Sequence, residues 1–214
     1  MQKKIFLVYL LTGLVFAQGQ PSGGMIDAHQ VAVKQYHAAA TSIVGITSTL
    51  AKDFPSITVG FEGSAEDWRL KKPITLDLNS GHLGDLLDSI VDQRPNYQWT
   101  QSDGEIFIRS RSISDSLLNT TIKSYSVSES NGAEALWMLL RTTEVRAWLA
   151  QHGVQLREIE EGSSLIQHQR PTFSINLENV SVRRVLGEIA KKSGTHQWKV
   201  LWYGDKHDFV GIYI

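Results

Sequence analysis

The chain reads PITLDLNSGHLGDLLDSIVDQRPNYQW at residues 73–99 and TFSINLENVSVRRVLGEIAKKSGTHQW at residues 172–198, and these two stretches decide the fold. They align without a gap at an offset of 99 residues, from residue 73 to residue 172, and both end in Gln-Trp. The same offset matches Leu50-Ala51 with Leu149-Ala150, and Glu62-Gly63-Ser64 with Glu161-Gly162-Ser163. Because one ungapped offset serves three separate patches, the sequence indicates two copies of one structural unit.

Each copy contains an amphipathic helix between an alternating strand and a hairpin. Apolar residues recur at i, i+3, i+4, i+7 and i+8 of the helix in both copies. These positions are Leu83, Leu86, Leu87, Ile90 and Val91 in the first copy and Val182, Val185, Leu186, Ile189 and Ala190 in the second. Before the helices, residues 74–78 and 173–177 alternate between apolar and polar, as a half-buried strand requires. After each helix, two short apolar runs flank a turn that contains glycine, which predicts a hairpin.

The region upstream of the second alternating strand also has patterns that predict secondary structure. Residues 124–128 alternate like a strand. Asn131 and Glu134 form a capping signature for a helix that continues to Gly153. Residues 154–162 then predict a further strand. The order in this copy is therefore β-α-β-β-α-β-β.

We predict an α+β fold of two tandem small modules, residues 25–118 and residues 119–214. Each module is approximately β-α-β-β-α-β-β, with two helices packed on small mixed sheets. In the first module, residues 25–54 read mainly as helix. We therefore expect a divergent first module with a helical start and a doubtful opening strand.

The N-terminus predicts export from the cytoplasm. Lys3 and Lys4 precede an apolar run that ends at Phe16, and Val15 and Ala17 place small residues before a cleavage point. This pattern is typical of a secretory signal peptide over residues 1–17, cleaved after Ala17. We expect a periplasmic or secreted mature protein.

Composition lowers the expectation of several functions. The chain has no cysteine, which excludes thiol catalysis, disulfides and cysteine-based zinc sites. From residue 18 onward, 19 basic residues stand against 22 acidic residues, so nothing favours nucleic acid as a partner. No later stretch approaches the ~20 apolar residues of a membrane helix. We expect no cofactor, no nucleic-acid partner and no integral membrane segment after signal removal.

The order of elements resembles the secretin and TonB N-terminal short domain. The resemblance is carried by ITLDLNSGHLGDLLDSIV and FSINLENVSVRRVLGEIA, followed by YQW and HQW. It implies small α/β domains that bind partner proteins in the bacterial periplasm. Members of that family precede a secretin channel or a receptor barrel, and no such segment follows here. The resemblance therefore implies binding, and it does not imply transport.

Few residues favour catalysis. The chain lacks HExxH, GxSxG and GxxxxGK[ST] motifs. The repeated Glu62 and Glu161 fit either paired acids in an inter-domain cleft or ordinary strand-ending turns, in which glycine and serine are common. His196 and His207 are expected to face each other across the last hairpin beside Asp208, but zinc requires three or four ligands. We predict no catalytic residue and no metal site.

The aromatic residues of the last hairpin are the candidate binding site. Trp198 repeats Trp99 and is interpreted as a core anchor. If the sheet cannot bury both faces of this hairpin, Leu201, Trp202 and Tyr203 form an exposed protein-binding patch.

The expected function is a non-catalytic protein-binding or scaffold module of the bacterial envelope. Its partner would be an envelope protein, such as a secretion or TonB-dependent receptor component, or a second copy of the chain. The alternatives are a periplasmic hydrolase of envelope polymers that uses Glu62 or Glu161, and an extracellular structural or adhesive protein.

Overall fold

The computed structural model describes residues 27–40, 42–66, 73–114, 116–157, 171–204 and 207–214. Over these residues the chain forms ten β-strands and five α-helices in two halves. The first half contains β1 (Ala32–Ala40), α1 (Ile43–Asp53), β2 (Thr58–Ser64), β3 (Ile74–His82), α2 (Leu83–Gln93), β4 (Tyr97–Ser102) and β5 (Glu105–Ser110). A short 3₁₀ helix at Leu117–Asn119 follows. The second half contains β6 (Thr121–Ser130), α3 (Gly132–Leu140), α4 (Thr143–His152), β7 (Gln155–Leu156), β8 (Phe173–Ser181), α5 (Val182–Ser193), β9 (Gln197–Tyr203) and β10 (Phe209–Tyr213).

The strands pair in the same way in both halves. The first and third strands of each half form a two-stranded antiparallel sheet, β1 with β3 and β6 with β8. The last two strands form an antiparallel hairpin, and the second strand of the half pairs parallel to the final strand. The α+β class predicted from the sequence is confirmed, with the predicted hairpins in place.

The two halves share one six-stranded sheet in the order β4-β5-β2-β9-β10-β7. The join is a parallel pairing of β2 with β9, from Val59 opposite Gln197 to Ser64 opposite Trp202. Each half contributes three strands, and the join converts a potential edge of each half into the centre of the sheet. Unpaired edges expose backbone donors and acceptors, so this pairing satisfies groups that separate modules would leave open.

The expectation of a helical start in the first half is wrong, because residues 32–40 form strand β1. The reason is the backbone at Gln35, which has a positive φ of 50°; Gln35 and the opposite Asn79 are left out of the pairing, while the register on both sides is the same. This left-handed residue breaks the period of two, so the buried residues Val33 and Tyr36 fall three positions apart, as on a helix. Helix α1 begins only after Ser42, whose hydroxyl accepts a hydrogen bond from the Gly45 amide at 3.0 Å.

The single helix expected between Asn131 and Gly153 is two helices. Asn131 caps α3 as predicted, with reciprocal hydrogen bonds to Glu134. The chain then leaves the helical conformation at Thr142, which has a ψ of 148° and donates its hydroxyl to the Leu139 carbonyl. A left-handed Gly153 ends α4, as the sequence indicates.

Alternate residues of the central strands pack into two different cores, so both faces of the sheet are covered. Val59 and Phe61 of β2 and Leu201 of β9 belong to the core that contains α1 and α2. Trp198 and Trp202 of β9 belong to the core that contains α3, α4 and α5. Because successive side chains of a strand point to opposite faces, the helices of the two halves lie on opposite sides of the shared sheet.

Gly60 and Trp198 make the closest contact at the join. The indole of Trp198 is fully buried and lies against the Gly60 backbone, where a Cβ atom would stand 2.2 Å from the ring carbon Cζ2. Phe107 stacks on the same indole at a centroid distance of 5.5 Å. Glycine is therefore required at residue 60 because a side chain would occupy the space of the indole.

Candidate functional site

Glu62, the repeated acid that the sequence singled out, lies in the shared core of the two halves. It has no exposed surface. Its Oε1 accepts a hydrogen bond from the Ser116 hydroxyl at 2.5 Å and from the Trp202 indole at 3.1 Å. The Nε atom of Arg109 stands 3.8 Å from its Oε2. Glu62 thus connects β2, β5, β9 and the segment between the halves.

This environment gives Glu62 a structural role. Burial raises the pKa of the Glu62 carboxyl, while the hydrogen bonds from Ser116 and Trp202 and the Arg109 guanidinium lower it. A substrate cannot reach a side chain with no exposed surface, so Glu62 does not line a catalytic cleft in this structure. Glu161, its counterpart in the repeat, lies outside the described residues.

The structure corrects the interpretation of Leu201, Trp202 and Tyr203 as a docking patch. Leu201 is 1% exposed and Trp202 is 3% exposed. Tyr203 is half-buried, with its hydroxyl 2.7 Å from the Tyr213 hydroxyl and the Arg157 guanidinium over its ring. The patch does not form because β9 is a central strand with a helical layer on each face. Core packing, the other interpretation of this hairpin, is the one observed for Leu201 and Trp202.

The two histidines of the last hairpin do not face each other. In the register of β9 with β10, Tyr203 lies opposite Phe209 and Lys199 lies opposite Tyr213. His207 therefore adjoins the turn, while His196 precedes the far end of β9. In the described part of the chain, no three residues among His, Asp and Glu come together in a way that could hold a metal ion.

A groove lies beside the edge strand β7. It has a volume of about 440 Å³ and is lined by Leu140, Arg141, Arg146, Leu149 and Leu156. These residues come from the end of α3, from α4 and from β7. The groove therefore lies at the free end of the six-stranded sheet, where β7 follows β10.

Exposed apolar side chains border this groove. Trp137 is 53% exposed and Met138 is 45% exposed, and both belong to the last turn of α3. The Arg141 guanidinium lies over the Trp137 ring at 3.8 Å from its centroid, which connects this tryptophan to the groove wall. Leu156 is 36% exposed on β7. Large apolar side chains that remain exposed beside a concave surface are typical of protein contact sites.

Among the described residues that line the groove, the charged ones are both arginines. Arg141 and Arg146 are exposed on the wall. The carboxylate of Glu144, which does not line the groove, accepts a hydrogen bond from the Lys123 amide at 3.2 Å. The groove therefore combines apolar leucines with two guanidinium groups, which are suited to carboxylates. We call the surface formed by Trp137, Leu140, Arg141, Arg146 and Leu156 the β7 groove.

The sequence contained a signal for the β7 groove that pattern analysis overlooked. The buried face of α3 consists of Ala135, Leu136 and Leu139, and Trp137 and Met138 lie off that face. The run LWMLL is therefore apolar on all sides of the helix. A helix of this kind in a small protein indicates either complete burial or a contact surface.

Comparisons of the chain with family models, with curated proteins and with solved structures gave no significant match. Of the helices in the described residues, none has the length and apolar character needed to cross a membrane.

Proposed function

We propose that the chain is an exported protein of the bacterial envelope that acts as a non-catalytic protein-binding or scaffold module, similar to the secretin and TonB N-terminal short domain. The β7 groove is its contact surface. The observation that carries this proposal is the exposed Trp137 beside an apolar groove that is lined by Arg141 and Arg146 at the edge of the sheet. The signal-like pattern of residues 1–17 is the sequence feature that supports export in this proposal.

The groove favours one kind of occupant, an extended segment of a partner protein with apolar and acidic side chains. Leu140, Leu149 and Leu156 would receive an apolar side chain, and Arg141 and Arg146 would pair with carboxylates. The amides of Gln155 and Arg157 donate to the carbonyls of Asp208 and Val210 on β10. Since the backbone of a strand alternates in direction, Leu156 directs its own amide to the outer edge, where a partner strand can pair.

The test begins with a pull-down from an envelope extract of the producing bacterium, with residues 18–214 as bait. The captured protein is then purified and its affinity measured against variants. Trp137→Ala and Arg146→Glu each remove one component of the β7 groove. Phe209→Ala is the matched control. Phe209 is an exposed aromatic residue too, at 42%, but its side chain points to the face of the sheet opposite to that of its neighbour Val210.

We expect Trp137→Ala to weaken binding about 30-fold, corresponding to ~2 kcal/mol for a tryptophan hot spot. Arg146→Glu should weaken binding more strongly at low salt than at high salt, because it reverses a charge at the contact and salt screens that charge. Phe209→Ala should leave the affinity unchanged. An affinity that is insensitive to both groove variants, or equally sensitive to Phe209→Ala, would show that the β7 groove is not the contact surface.

A further inference from the structure

A second concave site lies between the two halves, at the β4–β5 end of the sheet and thus opposite the β7 end. It is a cleft of about 330 Å³ between the β4–β5 turn and the start of α5. Its lining residues are Ser102, Asp103, Glu105, Val180, Ser181, Arg183 and Arg184. This volume is at the lower end of the range for small-molecule sites, ~300–1,000 Å³. The cleft is independent of the proposed function, since it shares no residue with the β7 groove.

The cleft contains a buried carboxyl group of which one oxygen has no hydrogen bond. Glu105 is 5% exposed, and its Oε1 has no hydrogen-bond partner. The closest cation is Arg183, whose Nε lies 3.9 Å from Oε1. The carboxyl fits there because residue 187 of α5 is glycine, where a Cβ atom would lie 2.3 Å from Glu105 Oε2. Buried polar groups are almost always hydrogen-bonded, so this exception indicates a missing partner.

Apart from the Asp103 carboxylate, the other polar side chains that line the cleft carry hydrogen-bond donors: Ser102, Ser181, Arg183 and Arg184. Arg183 donates to the Ser102 hydroxyl oxygen, which leaves the Ser102 proton free to donate. The Ser181 hydroxyl accepts from the Arg184 amide at 3.2 Å as the cap of α5, and it also keeps its proton for a ligand. Arg184 reaches Glu188 at 3.0 Å on its outer side. The positive end of the α5 dipole adds to these donors.

Glu105 is itself a donor at neutral pH. Burial raises its pKa to about 8, Arg183 and Arg184 lower it, and Asp103 and Glu188 raise it. These four residues are the charged groups that face the carboxyl from the β4–β5 turn and from α5. A neutral carboxylic acid presents one O–H donor together with its acceptor oxygens.

We propose that this cleft binds a small anionic ligand through a carboxylate or phosphate group held by Arg184, Arg183, the Ser102 and Ser181 hydroxyls and the Glu105 carboxyl. Guanidinium groups match such oxyanions in geometry and charge. A cationic ligand is disfavoured because two guanidinium groups and the positive end of α5 stand against the Asp103 carboxylate in the cleft.

The test is an NMR titration of the chain with small anions. Binding is monitored through the amide signals of Glu105 and Arg184 in ¹⁵N-correlated spectra. Sodium acetate and sodium sulfate are the probes, and sodium chloride at equal ionic strength is the reference. Tighter binding of acetate would assign the site to carboxylates, and tighter binding of sulfate would assign it to phosphate-like groups. Sulfate does not titrate between pH 6.5 and pH 9, so a pH effect on its affinity reports on the protein.

Three variants separate a built site from general charge attraction. Arg184→Gln should weaken sulfate binding at least about tenfold. Lys191→Gln removes the same charge from the exposed last turn of α5 and should have little effect. For the wild type, binding should fall about tenfold from pH 6.5 to pH 9, because only the protonated fraction of Glu105 is competent. Glu105→Gln keeps the shape and a donor but cannot ionise, so its affinity should not change with pH.

The proposal is overturned if neither probe gives saturable shifts at Glu105 and Arg184. It is also overturned if Arg184→Gln and Lys191→Gln weaken binding equally, since that result would mean diffuse attraction of an adventitious ion only. A pH dependence that persists in Glu105→Gln would remove Glu105 from the site. The circular dichroism spectrum of each variant must match that of the wild type.

Discussion

The substitution Gly60→Ala tests the join between the two halves at its closest contact. The added Cβ would lie 2.2 Å from Cζ2 and 2.5 Å from Cε2 of Trp198, well inside van der Waals contact. The indole cannot move aside easily, because it is fully buried and stacked on Phe107. The strand β2 is equally confined, since it is hydrogen-bonded to β5 on one side and to β9 on the other.

Two opposing effects determine the magnitude. Overpacking a well-packed core costs about 1–3 kcal/mol, and the rigid surroundings place this site at the upper end of that range. Alanine is favoured over glycine inside a strand by about 0.5–1 kcal/mol, which offsets part of the cost. We expect the free energy of unfolding to fall by about 2 kcal/mol, and the melting temperature by about 4–8 °C for a chain of this size.

The assay is urea denaturation of four proteins: the wild type, Gly60→Ala, Trp198→Leu and the double variant. Trp198→Leu removes the ring atoms that the new Cβ would meet, at a cost of about 3 kcal/mol for the lost packing. In the double variant the clash is absent, so the combined loss should be smaller than the sum of the single losses by at least about 1 kcal/mol. Gly45→Ala is the matched control, because its nearest contact is 3.2 Å and alanine favours helix α1.

Additive single and double effects would refute the reasoning, since they would mean that Gly60 and Trp198 do not compete for space. A change below about 0.5 kcal/mol for Gly60→Ala would do the same, because that is the range of ordinary surface substitutions.

Three further predictions concern buried polar groups and backbone conformation. Ser116→Ala removes a hydrogen bond to the buried Glu62 carboxyl and should lower the free energy of unfolding by about 1–3 kcal/mol in urea at pH 7; no loss would remove Ser116 from the network. Glu105 has a pKa of about 8 in the folded chain against 4.5 in the unfolded chain, so the folded state binds the extra proton between these values. The free energy of unfolding should therefore be highest below pH 4.5 and should fall by about 1.4 kcal/mol per pH unit between pH 4.5 and pH 8 because of Glu105. Urea denaturation of Glu105→Gln over the same pH range should lack this contribution. Gly153→Ala places a Cβ at a φ of 66° and should cost about 1 kcal/mol by thermal melting, whereas unchanged stability would contradict the left-handed cap.

The elements with an undisturbed period were predictable from the sequence. Helices α2 and α5 follow five apolar positions that repeat at one offset, and β3 and β8 alternate before them. These patterns depend on local geometry, which the sequence encodes directly. Strand β1 was not predicted because the left-handed backbone at Gln35 changes which side chains face the core.

The shared sheet was not predicted, because β2 and β9 are far apart in the chain. The paired residues Val59 and Gln197 are separated by 138 positions, so their pairing depends on tertiary structure. The run QWKVLWY nevertheless carried a hint. Apolar residues on both sides of a strand are typical of a strand buried on both faces, as in the middle of a parallel sheet. The patch at Leu201, Trp202 and Tyr203 required that the sheet leave one face of this hairpin uncovered, and helices cover both faces.

The candidate sites were likewise predictable only where a local sequence pattern marked them. Glu62 stood out through its repetition, and the structure gives it a structural role inside the join. The β7 groove depends on Trp137 leaving the buried face of α3, and the Glu105 cleft depends on Gly187 meeting a side chain 82 positions earlier in the chain. Contacts of that length have no periodic signature.

Native-state hydrogen exchange at the amides of β2 and β9 tests the central claim, that the two halves form one sheet. The Val59 amide, for example, donates to the His196 carbonyl across the join at 2.9 Å. We predict that the amides of both strands exchange only through global unfolding and share one free energy of opening. If the halves were independent modules, β2 would be an edge strand. Its outward amides would then exchange by local opening, several kcal/mol below the amides of β5, and that result would contradict the account.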